Sequence, residues 1–244
     1  MIQSVNNEYI KSLTKLKQKK YREEVKQFLA EGEHLVQEAI NNGLAVEIFC
    51  LDETKVPKNN CKVTLVSKAV LEKITFSKTP QSMVALCNYK NDCLDFTKVK
   101  RLFILDGLQD PGNIGTIIRT SLAFGFDGII LSEDSVDLYN DKLLRSCQGA
   151  NFYLPIIQTN ILQCITDLRK NDVSVYATSL RNAKNIEEIE AQEKMAFVLG
   201  NEGNGVKDST IDCCDGSIYI PISKAESLNV AIAGTIVMYH FASK

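Results

Sequence analysis

The sequence predicts an α/β protein in two parts: a C-terminal α/β domain built on a mostly parallel sheet, and a smaller N-terminal α/β domain. Two patterns predict it. From Arg101 onward, short apolar runs at Leu102–Leu105, Gly128–Leu131, Val173–Ala177 and Met195–Leu199 alternate with helical segments. Apolar strands buried on both faces and separated by helices belong to a parallel sheet covered on both sides. Before them, three β-like runs, Val46–Cys50, Lys62–Val66 and Met83–Cys87, stand among helices expected over Phe28–Asn41 and Lys68–Ile74. That first unit ends near Asn91, and the polar stretch Lys90–Lys98 reads as a linker. The expected domains are thus 1–91 and 101–244, joined by 92–100. A closing helix is expected over Ser227–Phe241.

With 244 residues, 45% of them hydrophobic and 24% charged, the chain has the composition of an ordinary globular protein. Extensive disorder and coiled coil are excluded on that ground. No apolar run approaches the ~20 residues that cross a bilayer. The start has no basic flank followed by an apolar stretch, so the expectation is a soluble cytoplasmic protein without a secretory signal. Eight cysteines show no C-x-x-C spacing, and only His34 and His240 could complete a metal set. They are expected to be reduced, buried as small hydrophobes, and free of metal.

Charge is uneven. Residues 1–98 carry 15 Lys and Arg against 12 Asp and Glu, whereas residues 99–244 carry 13 against 18. Lys11, Lys15, Lys17, Lys19, Lys20 and Arg22 lie in a stretch, residues 11–22, that holds no acid. Such a local basic patch suits a polyanion, although charge alone fits a solvated helix face equally well.

Three segments follow expected strands, where ligands gather in open α/β sheets. In the first, Asp106-Gly-Leu-Gln-Asp110-Pro-Gly-Asn113-Ile-Gly-Thr-Ile-Ile-Arg119, a Pro-Gly turn leads into a helix starting near Asn113. Its Ile114, Ile117, Ile118 and Leu122 form a core stripe, and Arg119 points roughly 100° away from it, where it could meet phosphate. In the second, Gly200-Asn-Glu202-Gly-Asn-Gly205, three glycines free a loop for close approach, and Glu202 stands among them. In the third, Ile220-Pro-Ile-Ser-Lys-Ala-Glu-Ser227-Leu228-Asn229, Ser227 is expected to cap the last helix, with Asn229 in its first turn. Ser227 is no hydrolase nucleophile, since His240 lies about 18 Å away at the far end of that helix.

Together, and in this order, DPGNIGTIIRT, LGNEGNGV and IPISKAESLNVAIA resemble the signature motifs of the SpoU family of RNA ribose 2′-O-methyltransferases, within the SPOUT superfamily. The resemblance covers roughly Arg101–Phe241. The preceding part resembles the L30e-like RNA-binding domain often joined to that family. Its carriers are the Lys-rich start, Phe28-Leu-Ala-Glu-Gly-Glu-His-Leu-Val36 and Thr79-Pro80-Gln81-Ser82, where Ser82 replaces a common glycine.

The resemblance implies S-adenosylmethionine as methyl donor, a deep C-terminal trefoil knot as its pocket, and a homodimer with active sites at the interface. It maps cofactor binding onto Thr178, Leu199, Gly200, Ile218, Ile220 and Leu228. It maps catalysis onto Asn113, Arg119, Glu202, Ser227 and Asn229. Arg119 is expected to clamp phosphate and stabilise the developing alkoxide rather than to act as base, because guanidinium holds its proton. Glu202 is expected to orient Arg119 or to handle the proton through water. Lys15, Lys17, Lys19, Lys20 and Arg22 are the expected RNA contacts. Ribosomal RNA, 23S by preference, is the expected substrate. Transfer RNA, or an inactive RNA-binding assembly factor on the same scaffold, are the alternatives left open.

Overall fold

The computed structural model describes residues 1–77, 79 and 81–242. Pro80 of the Thr79–Ser82 motif therefore lies outside the described residues. The chain forms two compact units, one of residues 1–91 with 137–152 and one of residues 92–136 with 153–244.

In the first unit, a four-stranded sheet has the order β1 (Gln27–Glu31), β4 (Met83–Asn88), β2 (Ala45–Cys50), β3 (Lys62–Leu65). β1/β4 and β4/β2 are antiparallel, and β2/β3 is parallel. Helices α1 (Glu8–Lys15), α2 (Lys19–Val25), α3 (Glu33–Asn41) and α4 (Lys68–Ile74) surround it. β1 corrects the expected helix over Phe28–Asn41. Phe28 and Ala30 enter one core cluster and Leu29 the other, an alternation that only a strand between two cores can make. Gly32, at φ +99°, then separates that strand from α3.

Residues 137–152, which the sequence reading placed in the C-terminal domain, also belong to this first unit. They carry α6 (Asp141–Cys147) and the start of α7 (Ala150–Tyr153). Tyr139 stacks on Tyr89 with ring centroids 3.8 Å apart, and Leu144 and Phe152 are buried beside Phe28.

The second unit holds seven strands in the order β7 (Ile156–Thr159), β6 (Gly128–Ser132), β5 (Arg101–Asp106), β10 (Met195–Gly200), β8 (Ser174–Thr178), β11 (Gly216–Tyr219), β9 (Ala183–Asn185). Every pairing is parallel. β5, β6 and β10 are buried at every residue, which is why they read as continuous apolar runs. β7, β9 and β11 are short and mixed in pattern, and the sequence reading did not identify them as strands. Helices α5 (Pro111–Ala123), α8 (Ile161–Lys170), α9 (Asp208–Ile211) and α10 (Val230–Ala242) complete the unit, with α10 packed on α5.

The segment expected as a linker is part of this core instead. Leu94 and Phe96 pack on the apolar cluster around Leu102, and Val99 is buried. Among the described residues, no helix is long and apolar enough to cross a membrane, and no cluster of His, Cys, Asp or Glu could hold a metal ion.

Candidate active site

At the carboxyl edge of the parallel sheet, the segments after β8, β10 and β11 and the start of α10 line an open cavity of about 680 Å³. Thr178, Leu199, Gly200, Ile218, Ile220 and Leu228 all lie on its wall, together with Glu202, Ser227 and Asn229. The size is that of a small-molecule or cofactor site.

The glycine loop after β10 is shaped by a backbone crossing. A Cβ on Gly200 would stand 2.0 Å from the Gly205 carbonyl carbon and the Val206 nitrogen. Only glycine lets the returning chain pass so close. Asn201 and Gly205 exchange backbone hydrogen bonds of 3.0 and 2.8 Å, and Gly205 sits at φ +70°. The Asn201 side chain fixes the turn from inside. Its Oδ1 accepts from the amides of Gly203 and Asn204, and its Nδ2 donates to the Gly107 carbonyl at 3.0 Å. Sequence reasoning passed over Asn201, although an Asn opening a glycine-rich turn is a recognisable signal.

Asp106, at the end of β5, anchors the same loop from below and was also passed over. Only 2% exposed, it accepts from the Thr210 hydroxyl at 2.8 Å and the Lys207 amide at 3.3 Å, and pairs with Lys207 Nζ at 3.2 Å. Lys207 also reaches Asp134 at 2.8 Å. Hydrogen bonding to Asp134 first, and then Asp106, raises the Lys207 ammonium above its ordinary pKa, while Lys207 lowers that of Asp134.

One chain of side-chain hydrogen bonds joins the three motifs. Asn229, not Ser227, caps α10: its Oδ1 accepts from the amides of Ala231 and Ile232 at 2.9 and 3.3 Å. The helix consequently starts at Val230 rather than Ser227. With Oδ1 committed to the cap, Asn229 Nδ2 donates to Asn113 Oδ1 at 3.0 Å. Asn113 Nδ2 is then the end that donates to Glu202 Oε1, at 3.1 Å. Each amide orientation is fixed by the one before it, starting from helix amides that can only donate. Asn113 is itself held by its own amide, which donates to the capping Asp110 carboxylate at 2.8 Å.

Glu202 therefore meets Asn113 and not Arg119. Arg119 is exposed on α5, makes no hydrogen bond or ion pair among the described residues, and is not on the cavity wall. Six residues beyond Asn113, it stands about 120° around the helix and ~9 Å along it, so the two share no face. Ser227 is exposed on the wall, its hydroxyl without a partner among the described residues.

The basic N-terminus divides into outward and inward groups. Lys15, Lys19 and Lys20 are exposed, Lys19 within 3.5 Å of Glu23. Arg22 is corrected as an RNA contact: it is 4% exposed, paired with Asp137, and donates to the Leu16 carbonyl at 2.7 Å. Lys17 also turns inward, donating to the Thr75 carbonyl, and burial lowers its pKa.

A parallel sheet with a glycine-loop cavity at its carboxyl edge, lined by a carboxylate and apolar walls, defines an α/β domain with a small-molecule site at the strand ends. Comparison with known proteins specifies the class: the chain belongs to the SpoU rRNA Methylase family, which it matches over residues 100–239. Residues 7–85 match the MRM3-like substrate binding domain. The chain is 37% identical, over 98% of both sequences, to the 23S rRNA (guanosine(2553)-2′-O)-methyltransferase RlmP of Bacillus subtilis. It superposes on an rRNA methyltransferase from Sinorhizobium meliloti with a TM-score of 0.87 and 29% identity, covering 98% of this chain and 95% of that one. An AdoMet-bound rRNA methyltransferase from the same organism gives 0.86 and 28%, with the same coverage.

Proposed function

We propose that the protein transfers a methyl group from S-adenosylmethionine to a ribose 2′-hydroxyl of ribosomal RNA, with 23S RNA as its substrate. The observation that carries this reading is the Asn229–Asn113–Glu202 chain, whose two ends are on the cavity wall and which unites all three motifs in one site. The cavity suits the donor. Leu199, Ile218, Leu228 and Val237 give it an apolar side for a planar base, while Glu202 and Glu226 supply negative charge for a cationic ligand. Bound there, S-adenosylmethionine would supply an electrophilic methyl on a sulfonium.

The protein's own groups then have definable tasks. Asn113 and Asn229 hold Glu202 in one orientation with Oε1 occupied, leaving Oε2 to accept a proton, directly or through water. Ser227 offers a hydroxyl to a ligand on the wall. Alignment of the 2′-hydroxyl with the methyl accounts for much of the rate.

Arg119 enters this reading through a second copy of the chain, since in its own protomer it does not line the cavity. α10 is apolar nearly all round, and Leu122, Ile232 and Tyr239 are 38%, 51% and 75% exposed on the packed α5/α10 pair. That surface suits a homodimer in which each Arg119 serves the partner's cavity as phosphate clamp. The deep trefoil knot implied by the motifs, and action in the cytoplasm, belong to the same reading.

The test is tritiated methyl transfer to total RNA from a strain lacking the gene, followed by size fractionation. Label in 23S RNA is the expected outcome. Label in transfer RNA would overturn the substrate, and no label without cofactor binding would overturn the chemistry.

A further inference from the structure

The N-terminal unit holds a second cavity, of about 280 Å³, between α1, α2 and the edge strand β1. The methyl-transfer reading does not use it. Its walls include two aromatic rings, Tyr9 and Tyr21, together with Leu13 and Val25. Tyr9 and Val25 remain 38% and 52% exposed, an apolar surface the unit leaves uncovered. The Tyr9 ring is held in place, because its hydroxyl donates to the nearly buried Glu47 carboxylate at 2.7 Å.

Cations lie over the partly buried Tyr21 ring. Lys15 Nζ lies 5.6 Å and Lys20 Nζ 5.9 Å from its centroid, and neither lysine forms a salt bridge among the described residues. Both come from the stretch that holds no acid between residues 11 and 22. An aromatic ring beneath two ammonium groups free of salt bridges, beside an apolar hollow, offers a base a stacking partner and its phosphates two cations. An apolar peptide side chain would need the hollow but not the cations.

We propose that this cavity binds one unpaired RNA base, which stacks on Tyr21 as Lys15 and Lys20 swing from over the ring onto the neighbouring phosphates. This rests on the reading of RNA as substrate and adds where the N-terminal unit grips it. Unpaired bases in loops and bulges are what proteins read in folded RNA. Glu24, on the same wall, adds an acceptor for an exocyclic amino group.

The chain has no tryptophan, so Tyr21→Trp creates a single fluorescent reporter that keeps a stacking ring. The expected result is quenching of the indole emission of Tyr21→Trp by in vitro-transcribed 23S RNA, with methylation kinetics close to wild type. Tyr21→Ala should raise KM for that RNA about tenfold and leave kcat and S-adenosylmethionine affinity unchanged, whereas Tyr21→Phe should behave as wild type. The two truncations separate by salt. Tyr21→Ala should keep the slope of log affinity against log salt, and Lys15→Ala with Lys20→Ala should lower it by about 1–2.

Wild-type methylation with an unchanged KM in Tyr21→Ala, at an unaltered melting temperature, would overturn this site and leave the proposed function standing. Indole emission of Tyr21→Trp quenched by the protein fraction of dissociated large subunits, but not by RNA, would assign the cavity to a protein and overturn it equally. Wild-type protein that neither binds nor methylates RNA would overturn the functional reading and this site with it.

Discussion

Asn229→Asp separates the two jobs that one side chain performs. The cap should survive, since aspartate serves as N-cap as well as asparagine, and its charge adds about 0.3–1 kcal/mol against the helix dipole. The polar chain should not. The Nδ2 that donates to Asn113 at 3.0 Å becomes an oxygen, so two acceptors face each other. Asn113 can relieve this only by turning its amide over, which then points Oδ1 at Glu202 Oε1, 3.1 Å away. Unturned, Asn113 keeps Glu202 but loses its partner at 229; turned, it gives up the bond to the Glu202 carboxylate, worth about 1.5 kcal/mol at a site open to water. At 1.4 kcal/mol per decade, methyl transfer should slow roughly tenfold if that orientation is needed in the transition state. Single-turnover transfer to 23S RNA and thermal melting, run together, read both effects. Asn229→Ala should lose the cap as well, at about 1 kcal/mol or ~2–4 °C in Tm. Asn229→Asp with wild-type turnover would refute the role given to the chain, and Asn229→Asp melting as low as Asn229→Ala would refute the cap.

Other outcomes follow from the same geometry. Gly200→Ala should give little folded protein in a solubility and urea-midpoint assay, because its Cβ meets backbone at 2.0 Å and backbone cannot rotate away. Arg22→Met should cost about 3–5 kcal/mol in urea unfolding by stranding Asp137, and should leave the salt slope of RNA binding unchanged. Asp134, lowered by Lys207, contributes stability that is full above its ordinary pKa of 3.8 and lost as pH falls through its depressed folded value. Lys207, raised by Asp134, contributes below 10.5 and loses its part as pH rises through its elevated value. Both side chains are more than half exposed, so the acid-side loss is under ~1 kcal/mol. Lys207→Met should shrink it, Ser132 still lowering Asp134, when urea midpoints at about pH 6 and pH 3 are compared.

What was legible in the sequence follows from how strongly each residue is constrained by its neighbours in the chain. β5, β6 and β10 are buried on both faces and could be read directly as strands. β11 and β9 pair with each other beyond β8 and show little apolar pattern, since polar Ser217, Lys184 and Asn185 take ladder positions. Phe28–Ala30 misled because Phe-Leu-Ala runs straight into an amphipathic helix, and only two separate cores reveal it as a strand. In the site, Asn113, Glu202 and Asn229 were identifiable one by one from their motifs. Their order along a hydrogen-bonded chain was not, because it depends on a cap that moved from Ser227 to Asn229 and fixed which amide end faces which. Arg22 sat in a basic run by composition, but Asp137, 115 residues away, determines its use.

The central claim is that this cavity methylates ribose, and alkaline hydrolysis of the labelled product tests it most directly. 23S RNA methylated by the purified protein with tritiated S-adenosylmethionine is digested in alkali, which needs a free 2′-hydroxyl to cleave each linkage. Tritium in an alkali-resistant dinucleotide is the predicted result. Tritium in mononucleotides would place the methyl on a base and contradict the account.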